Sequence, residues 1–354
     1  MAMLINGRFL TRSATGVDRF AQELLRSLAL LDPGCAVRVV VPEAAELVGQ
    51  VPGGLSLERA GSGVGQRWEQ SSLARMAPDE PLINLCNTGP MFREKQMVVV
   101  HDAATLANPQ NYGLAFRSWY RLMLGAIARR TRVLTSVSSF SANELTRFLG
   151  ARARGVEVVS EGGEHILREP ADVSVIDKFK LSGRRFVLAL GSSSPNKNLV
   201  AIVKAMHLLE DPDLLLVAAG GGNSRIFAEA RVSDPRLIST GYVTDAQIRA
   251  LFEHASCFVF PSFYEGFGLP PLEAMNCGCP VVVSDRASLP EVCGTAVLYC
   301  DPADPATIAA QLRKLLGSVA ARDDLRAAGR ERAALFSWDR AARQFNDIVQ
   351  ANFR

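Results

Sequence analysis

No stretch of this 354-residue sequence approaches the roughly 20 uncharged apolar residues that a membrane-spanning helix needs. The amino end, Met-Ala-Met-Leu-Ile-Asn-Gly-Arg, has neither the basic start nor the long apolar core of a secretion signal, so a cytoplasmic location is expected. Charge of one sign is scarce as well: 39 Lys and Arg against 36 Asp and Glu leave a formal net charge of +3. That balance excludes a protein whose hold on nucleic acid rests on bulk charge. The seven cysteines (35, 86, 257, 277, 279, 293 and 300) include no C-x-x-C pair, so neither a zinc site nor a redox pair is indicated. Several fall in or beside apolar runs, where a thiol behaves as a small hydrophobe, and this suits a reducing compartment. No solenoid repeat is visible, and neither H-E-x-x-H nor G-x-S-x-G occurs.

What the chain does have is apolar content of 48% with 21% charged residues, the composition of a globular protein, at a length that fits two domains. Short apolar runs alternate with amphipathic stretches. In the first half strands are expected at Met3–Ile5, Val37–Val41, Leu82–Leu85, Met97–Val100, Val133–Ser136 and Val156–Val159, with helices such as Gly16–Leu31 and Ala115–Arg130 between them. The second half repeats the scheme at Phe186–Leu190, Leu214–Ala218, Leu237–Thr240, Cys257–Phe260, Val281–Ser284 and Val297–Tyr299, with helices at Leu199–Leu209, Asp245–His254 and Leu269–Cys277. Such βα alternation implies α/β architecture with parallel sheets covered on both faces. A seam is expected over Glu169–Ser182, which carries Pro170 and few apolar residues. In open α/β sheets ligands lie beyond the carboxyl ends of strands, so functional residues are sought there.

The stretch from Phe258 to Met275 organises the rest. The apolar run Cys257–Phe260 is followed by a loop with Gly266 and Gly268, and Pro270 and Pro271 fall in the first turn of a helix, where proline is tolerated. Strand, glycine loop and helix amino end make an anion site. Two carboxylates bracket it, Glu265 and Glu273. Acids beside an anion site make sense when they accept hydroxyl groups, and a nucleotide-sugar supplies both a pyrophosphate and two polyols. On their own, the pair also reads as a loop acid and a first-turn acid.

Glu265-Gly-Phe-Gly-Leu-Pro-Pro-Leu-Glu273, with Pro290-Glu291-Val292 downstream, resembles the glutamate-x7-glutamate motif of retaining glycosyltransferase family 4. The resemblance implies a GT-B fold, two doubly wound Rossmann-like domains facing a central cleft. An acceptor-side domain over 1–170 and a donor domain over 183–336 follow, with a helix over 337–354, anchored by Trp338, crossing back to the first domain. It implies that Glu265 holds sugar hydroxyls, that Glu273 holds the ribose, and that Gly266, Phe267, Gly268 and Leu269 surround the diphosphate. Asn6-Gly7-Arg8 through Thr15-Gly16-Val17 looks like a bacterial polysaccharide-assembly branch with several mannosyltransferases.

Other strand-end motifs fit the same site. His101, after the run ending at Val100, is placed near the donor sugar by the resemblance, with Asp102 expected to hold its tautomer; a turn histidine is the alternative. Gly16 opens a helix beside the donor, or is only a tight turn. In Gly191-Ser-Ser-Ser-Pro-Asn196-Lys197-Asn198, Asn196 is expected as N-cap, which puts Lys197 in the first turn against the helix dipole. A bound pyrophosphate removes that conflict. The family often has arginine where Asn196 stands, and Arg19 or Arg225 is expected to supply the missing charge. Gly221 in Gly220-Gly-Gly-Asn223, and Tyr242 and Val243 after Gly241, are expected to line the base pocket. Gly61-Ser-Gly-Val-Gly65-Gln66 breaks the dinucleotide fingerprint and lacks a strong strand before it, and Asp211-Pro-Asp213 reads as a turn.

Residues 113–155 carry eight arginines and one acid, Glu144. Arg117, Trp119 and Arg121, with Arg19, are assigned to the acceptor or membrane side. A basic aromatic helix suits an anionic membrane surface, and a core helix with solvated arginines is the alternative. The expected function is retaining transfer of a sugar, with GDP-mannose as the favoured donor, to a carbohydrate or polyprenyl-linked acceptor in bacterial polysaccharide assembly. UDP-glucose, UDP-galactose and dTDP-rhamnose stand behind it as donors. His101, Lys197 and Glu265 are the expected catalytic residues. No metal, cofactor or nucleic-acid partner is expected, and contact with the anionic inner membrane is. A GT-B protein that binds a nucleotide-sugar or glycan without catalysis is the alternative from another class, and a sugar-nucleotide epimerase is a third.

Overall fold

The computed structural model describes residues 2–31, 35–150, 155–191, 195–221 and 234–353. The chain divides into two compact units, Met1–Gly162 with Trp338–Arg354, and Gly163–Ser337.

The first unit is built on a parallel sheet of β1 (Ala2–Asn6), β2 (Ala36–Val41), β3 (Ser56–Arg59), β4 (Leu82–Asn84), β5 (Gln96–Val99), β6 (Val133–Ser136) and β7 (Val156–Val158), in the order β3-β2-β1-β4-β5-β6-β7. Its central strands are buried on both faces, so they read as mainly apolar runs rather than alternating ones, with polar residues such as Asn6, Asn84 and Gln96 at their ends. The helix Gly16–Leu31 buries Phe20, Leu24 and Leu28 at four-residue spacing, the stripe of a helix packed on one side. Against it lies the last helix, Trp338–Phe353, through Trp338, Ala341, Ala342 and Phe345. The rings of Phe20 and Trp338 meet edge-on at 5.8 Å. The chain's final helix therefore belongs to the unit that contains its first strand.

The second unit carries β8 (Phe186–Leu190), β9 (Leu215–Ala219), β10 (Leu237–Gly241), β11 (Cys257–Phe260), β12 (Val281–Ser284) and β13 (Leu298–Cys300), all parallel, in the order β10-β9-β8-β11-β12-β13. Read as third, second, first, fourth, fifth and sixth, this is the strand order of the doubly wound nucleotide-binding fold. In each sheet the direction of winding reverses between the first and fourth strands, at β1/β4 and at β8/β11. The loops leaving those strands diverge there, and a ligand finds room between them.

Several sequence expectations are corrected. The boundary falls at 162/163 rather than within Glu169–Ser182, because the 3-10 turn Glu164–Leu167 and the helix Ser174–Lys178 pack on helices of the second unit. The first domain thus stops short of residue 170. Strand β3, Ser-Leu-Glu-Arg, is mostly exposed and lies at a sheet edge, where no apolar run is demanded. It precedes the Gly61–Gly65 loop, which leads into a short helix Gly65–Trp68 rather than a dinucleotide crossover. The helices Pro305–Leu316 and Val319–Ala333 were not anticipated by name. The seven cysteines are free thiols, and burial pushes those of Cys257 and Cys293 up to about 12, which leaves them inert as nucleophiles at neutral pH.

Candidate functional site

In the second unit, the loops leaving β8 and β11 meet at the switch point. The Asn196 carbonyl accepts the Phe263 N–H at 2.9 Å and lies 3.0 Å from the Ser262 hydroxyl. These bonds bring Lys197 and Glu265, 68 positions apart, to 2.8 Å between Nζ and Oε1. The ammonium also stands 4.5 Å from the centre of the Phe260 ring, a cation–π position. Ser262 touches the same Glu265 oxygen. From the end of β12, Ser284 donates to the Ser262 carbonyl at 2.5 Å, and Ser288 lies 3.0 Å from the Glu265 carbonyl and 2.7 Å from that of Phe267. Serines thus fix the backbone of the glycine loop from below.

Gly268 precedes the helix Leu269–Asn276 with φ of 110°, a conformation open to glycine and strained for other residues. Pro270 and Pro271 bring no N–H to the first turn, so the amides of Gly268 and Leu269 form the helix's amino end, where the dipole favours negative charge. Phe267 turns inward, buried against Phe336 at 5.7 Å, so of its groups only the backbone is available to a ligand. Glu273 projects from the first turns of this helix with its side chain 12% exposed, and the buried His165 holds it, Nε2 to Oε1, at 2.9 Å. Gly163 lets the segment before His165 lie against the same helix, since a Cβ there would meet Asn276 Nδ2 at 2.6 Å and Leu272 Cγ at 2.7 Å.

Asn196 is not the N-cap expected for it. Pro195–Lys197 form a 3-10 turn, and Asn198, with φ of 54°, precedes the helix Leu199–Leu209. Lys197 therefore lies outside that helix, and its partner is Glu265 rather than a conflict with the dipole. Asn198 Nδ2 donates to the Pro302 carbonyl at 2.6 Å, which ties the turn to the end of β13. Gly221 follows β9 and is exposed, Tyr242 follows β10 with 85% of its surface exposed, and Val243 is half-buried. Ser192–Ser194, Gly222, Asn223 and Arg225 lie outside the described residues.

In the first unit His101 is buried. Its backbone N–H donates to Asn87 Oδ1 at 2.7 Å, and its Nε2 lies 2.9 Å from the Leu85 carbonyl. The carboxylate facing Nδ1, at 3.4 Å, belongs to Glu161, whereas Asp102 accepts the Ala104 N–H. Glu161 and His165 both escaped the sequence analysis. Their only signal is the run Glu161-Gly-Gly-Glu-His165, whose ends reach a candidate residue in each unit. Gly16 opens its helix at the surface, and Asp18 in the first turn accepts the Thr15 N–H at 2.9 Å and pairs with Arg12 at 2.6 Å. A carboxylate of the protein thus already occupies that amino end. Arg19 and Arg117 are half-buried, Trp119 is half-buried with its Nε1 lacking a hydrogen bond among the described residues, and Arg121 is exposed. A groove of about 840 Å³, lined by Lys95, Arg129, Arg130, Arg132 and Asn352, lies by the amino ends of β5 and β6, away from the ligand-binding ends of the sheet.

Comparison with known proteins identifies the family and the fold. Residues 175–332 match the family described as glycosyl transferases group 1. O-antigen chain mannosyltransferase B of Escherichia coli is 31% identical over 262 residues, 71% of this chain and 69% of that protein. The serotype-specific mannosyltransferase WbdA of Escherichia coli is 33% identical over 265 residues, 70% of this chain but 32% of that longer protein. The sucrose-phosphate synthase structure from Thermosynechococcus elongatus superposes with a TM-score of 0.78 over 99% of this chain and 98% of its own, at 18% identity, a likeness of fold that identifies two GT-B-type Rossmann-like domains. With the family match over its second unit and a mannosyltransferase 31% identical over 69% of that protein's length, the chain belongs to the group 1 glycosyl transferases.

Proposed function

We propose that the protein transfers mannose from GDP-mannose to a carbohydrate acceptor with retention at the anomeric carbon, in bacterial surface-polysaccharide assembly. The observation that carries the transferase chemistry is the meeting of Lys197, Glu265 and the amino end of Leu269–Asn276 at one switch point. Mannose is chosen because the relatives named above are mannosyltransferases.

Lys197 and the amides at Gly268 and Leu269 stabilise the charge that builds on the departing diphosphate, a preorganised electrostatic contribution. Glu265 then exchanges part of its hold on Lys197 for hydroxyls of the sugar. Glu273 accepts from the ribose hydroxyls, with His165 fixing its orientation. Tyr242 offers its exposed ring to the base, beside the backbone of Gly221 and Val243. His101, buried and held by Leu85 and Glu161, is kept as a catalytic candidate. The acceptor hydroxyl oxygen bonds to the anomeric carbon as the bond to the β-phosphate oxygen breaks, and the hydroxyl proton passes to that phosphate oxygen. Positive charge from Lys197 and the helix dipole takes the role a metal ion has elsewhere, and activity is expected to persist in chelator.

Membrane contact belongs to the same proposal. No described helix is long and apolar enough to cross a membrane. On the helix Leu114–Arg130, Leu114 is 69% and Leu122 62% exposed beside the exposed Arg121 and Arg129, the pattern of a surface helix that rests on anionic lipid. Flotation with anionic vesicles but not neutral ones is the expected result.

The decisive experiment is a thermal-shift screen with GDP-mannose, UDP-glucose, UDP-galactose, UDP-N-acetylglucosamine, GDP and UDP, on wild type and Glu273→Ala. Ligands that bind the folded state raise the midpoint. A shift from the guanine nucleotides, weakened in Glu273→Ala, supports the proposal. No shift from any nucleotide at millimolar concentration overturns it.

A further inference from the structure

The first sheet carries its positive charge at the rim where its strands begin. Lys95 immediately precedes β5 and Arg132 immediately precedes β6, and the Arg132 N–H donates to the Glu94 carbonyl at 3.0 Å. The helix Leu114–Arg130 ends beside them and brings Arg129 and Arg130. These four cations line one groove of about 840 Å³, in which Glu94 is the only acid among the described residues. Exposed arginines elsewhere pair with carboxylates, as Arg185 does with Asp211 and Arg343 with Asp339, each at 3.0 Å. None of the four groove cations pairs with a carboxylate among the described residues. Lys95 Nζ donates to the Asp79 carbonyl at 2.5 Å and Arg129 Nη1 to the Gly125 carbonyl at 2.9 Å. The Arg130 guanidinium stands 4.8 Å over the Phe92 ring, and that of Arg132 5.6 Å over the Phe353 ring.

A solvated charged face is the ordinary reason for such a cluster, and the helix explains part of it. Cations are favoured at the carboxyl end of a helix, which covers Arg129 and Arg130. It does not cover Lys95, which comes from another part of the chain, or Arg132, which lies beyond the helix. Nor does it explain the props. A guanidinium held over an aromatic ring gives its face to the ring and keeps its N–H edge for a partner. Thr131 adds an independent sign. It lines the same groove, and its side-chain oxygen is buried without a hydrogen-bond partner among the described residues. A buried hydroxyl in that state is destabilising.

Two guanidiniums on separate props are two planar forks, and each fork matches the oxygens of one phosphate. The groove has the volume of a small-molecule site rather than of a single ion. We propose that it binds an anion with two neighbouring phosphate groups, whether in a soluble compound or in a lipid headgroup. Arg130 and Arg132 each take one phosphate, Lys95 adds a point charge, and the Thr131 hydroxyl turns to donate to the anion. The site lies at the opposite rim of the sheet from the carboxyl ends of its strands, so its ligand is neither the donor nor the sugar transferred. The inference stands on the groove alone and does not need the transferase reading.

Titration calorimetry on the full chain, with inorganic pyrophosphate and orthophosphate as probes, tests it. Wild type is expected to bind pyrophosphate about tenfold or more tightly than orthophosphate. Arg130→Gln/Arg132→Gln should bind pyrophosphate about tenfold or more weakly than wild type, the loss expected for charge-assisted hydrogen bonds. Both arginines are exposed, so this variant should keep the wild-type midpoint. Thr131→Val replaces the unpartnered hydroxyl with a methyl group of similar shape. Its midpoint without ligand should hold or rise while pyrophosphate binds more weakly, an opposition that loss of fold does not produce. Pyrophosphate also suits the anion site at β8/β11, so the titrations are repeated in Lys197→Ala, where groove binding should persist. Phosphatidylcholine vesicles with and without cardiolipin, whose headgroup carries two phosphates, separate the sources. Displacement of pyrophosphate by the cardiolipin vesicles supports the site with a lipid as its ligand, and no displacement supports it with a soluble one. Unchanged pyrophosphate binding in the double arginine variant, equal affinity for the two probes, or complete loss of binding in Lys197→Ala overturns the inference. If GDP fails to shift the midpoint while groove-dependent pyrophosphate binding persists, the groove stands and the donor reading falls.

Discussion

Lys197 Nζ and Glu265 Oε1 are 2.8 Å apart, with both side chains mostly buried and Ser262 on the far side of the same carboxylate oxygen. Each is thereby held in one rotamer where two loops meet. Lys197→Ala is expected to reduce kcat by about 10²–10³-fold, the effect of deleting one donor that stabilises developing charge, with a smaller change in the KM for donor. Steady-state kinetics with GDP-mannose checks this. A variant whose kcat is intact and whose KM alone rises would show that Lys197 binds donor without serving the chemistry.

Glu273 and His165 form a second pair, at 2.9 Å. Glu273→Ala should weaken GDP binding by about 10- to 100-fold, the usual loss for hydrogen bonds to a charged group, and should abolish discrimination between GDP and its 2′-deoxy analogue. His165→Phe is expected to move in the same direction by less, because Glu273 remains but is no longer oriented. Titration calorimetry with both nucleotides measures it. Retained preference for the ribo form in Glu273→Ala would sink the ribose assignment.

These pairs also show which features a sequence discloses. The bounds expected for strands β6, β8, β11 and β12 match the structure to the residue, because these strands are buried on both faces and read as largely apolar runs, Cys-Phe-Val-Phe in β11 without a break. The glycines and prolines after β11 announced the loop and helix because each meets a backbone constraint. The partners did not announce themselves. Glu161 against His101 and His165 against Glu273 are contacts over 60 and 108 positions, and nothing local about a glutamate or a histidine says which distant group it will face. Asn196 was misjudged for a local reason: Asn198, two residues on, takes the left-handed conformation before the helix, and asparagine adopts that conformation more readily than most residues. The buried chain of hydrogen bonds from Glu69 through Asn6 and Asn84 to Gln96 is not legible in the sequence, because isolated polar residues such as Asn84 and Gln96 sit in strands that otherwise read as apolar.

Gly268 tests the loop itself. With φ of 110° and a would-be Cβ 2.7 Å from Leu289 Cδ2, Gly268→Ala is expected to cost about 1–2 kcal/mol, most of it backbone strain. It should also displace the Leu269 amide. A lower thermal midpoint together with a weaker GDP response is the expected outcome. A midpoint equal to wild type would mean that the loop has another conformation available.

Asp234 supplies a pH dependence with a definite sign. The Arg236 side chain, bonded to both carboxylate oxygens at 3.0 and 2.7 Å, holds its carboxyl below the usual range against the cost of burial. A carboxylate depressed on folding stabilises above its unfolded pKa, and that contribution is lost as pH falls through the folded value. The midpoint advantage of wild type over Asp234→Asn should therefore be full at pH 7 and shrink steadily below about pH 4, near the unperturbed value. Melting curves from pH 7 to pH 3 check it; His207 Nε2 also faces Asp234 at 3.0 Å, so the sign is read below about pH 4, where a gap that widens further would contradict it.

The helix Trp338–Phe353 seats Trp338 against Phe20 and lies along the helix Gly16–Leu31. During synthesis, the ribosome delivers this piece of the first unit only after every residue of the second. Phe20 and its neighbours must therefore wait, uncovered on one side, while some 175 residues of another fold emerge and pack. Domains often fold in the order in which they are made; here the unit begun first is completed last. A chain stopped at Ser337 would contain every residue assigned to the donor and still leave an apolar furrow open on the first unit, so its failure would show as aggregation before it showed as lost chemistry.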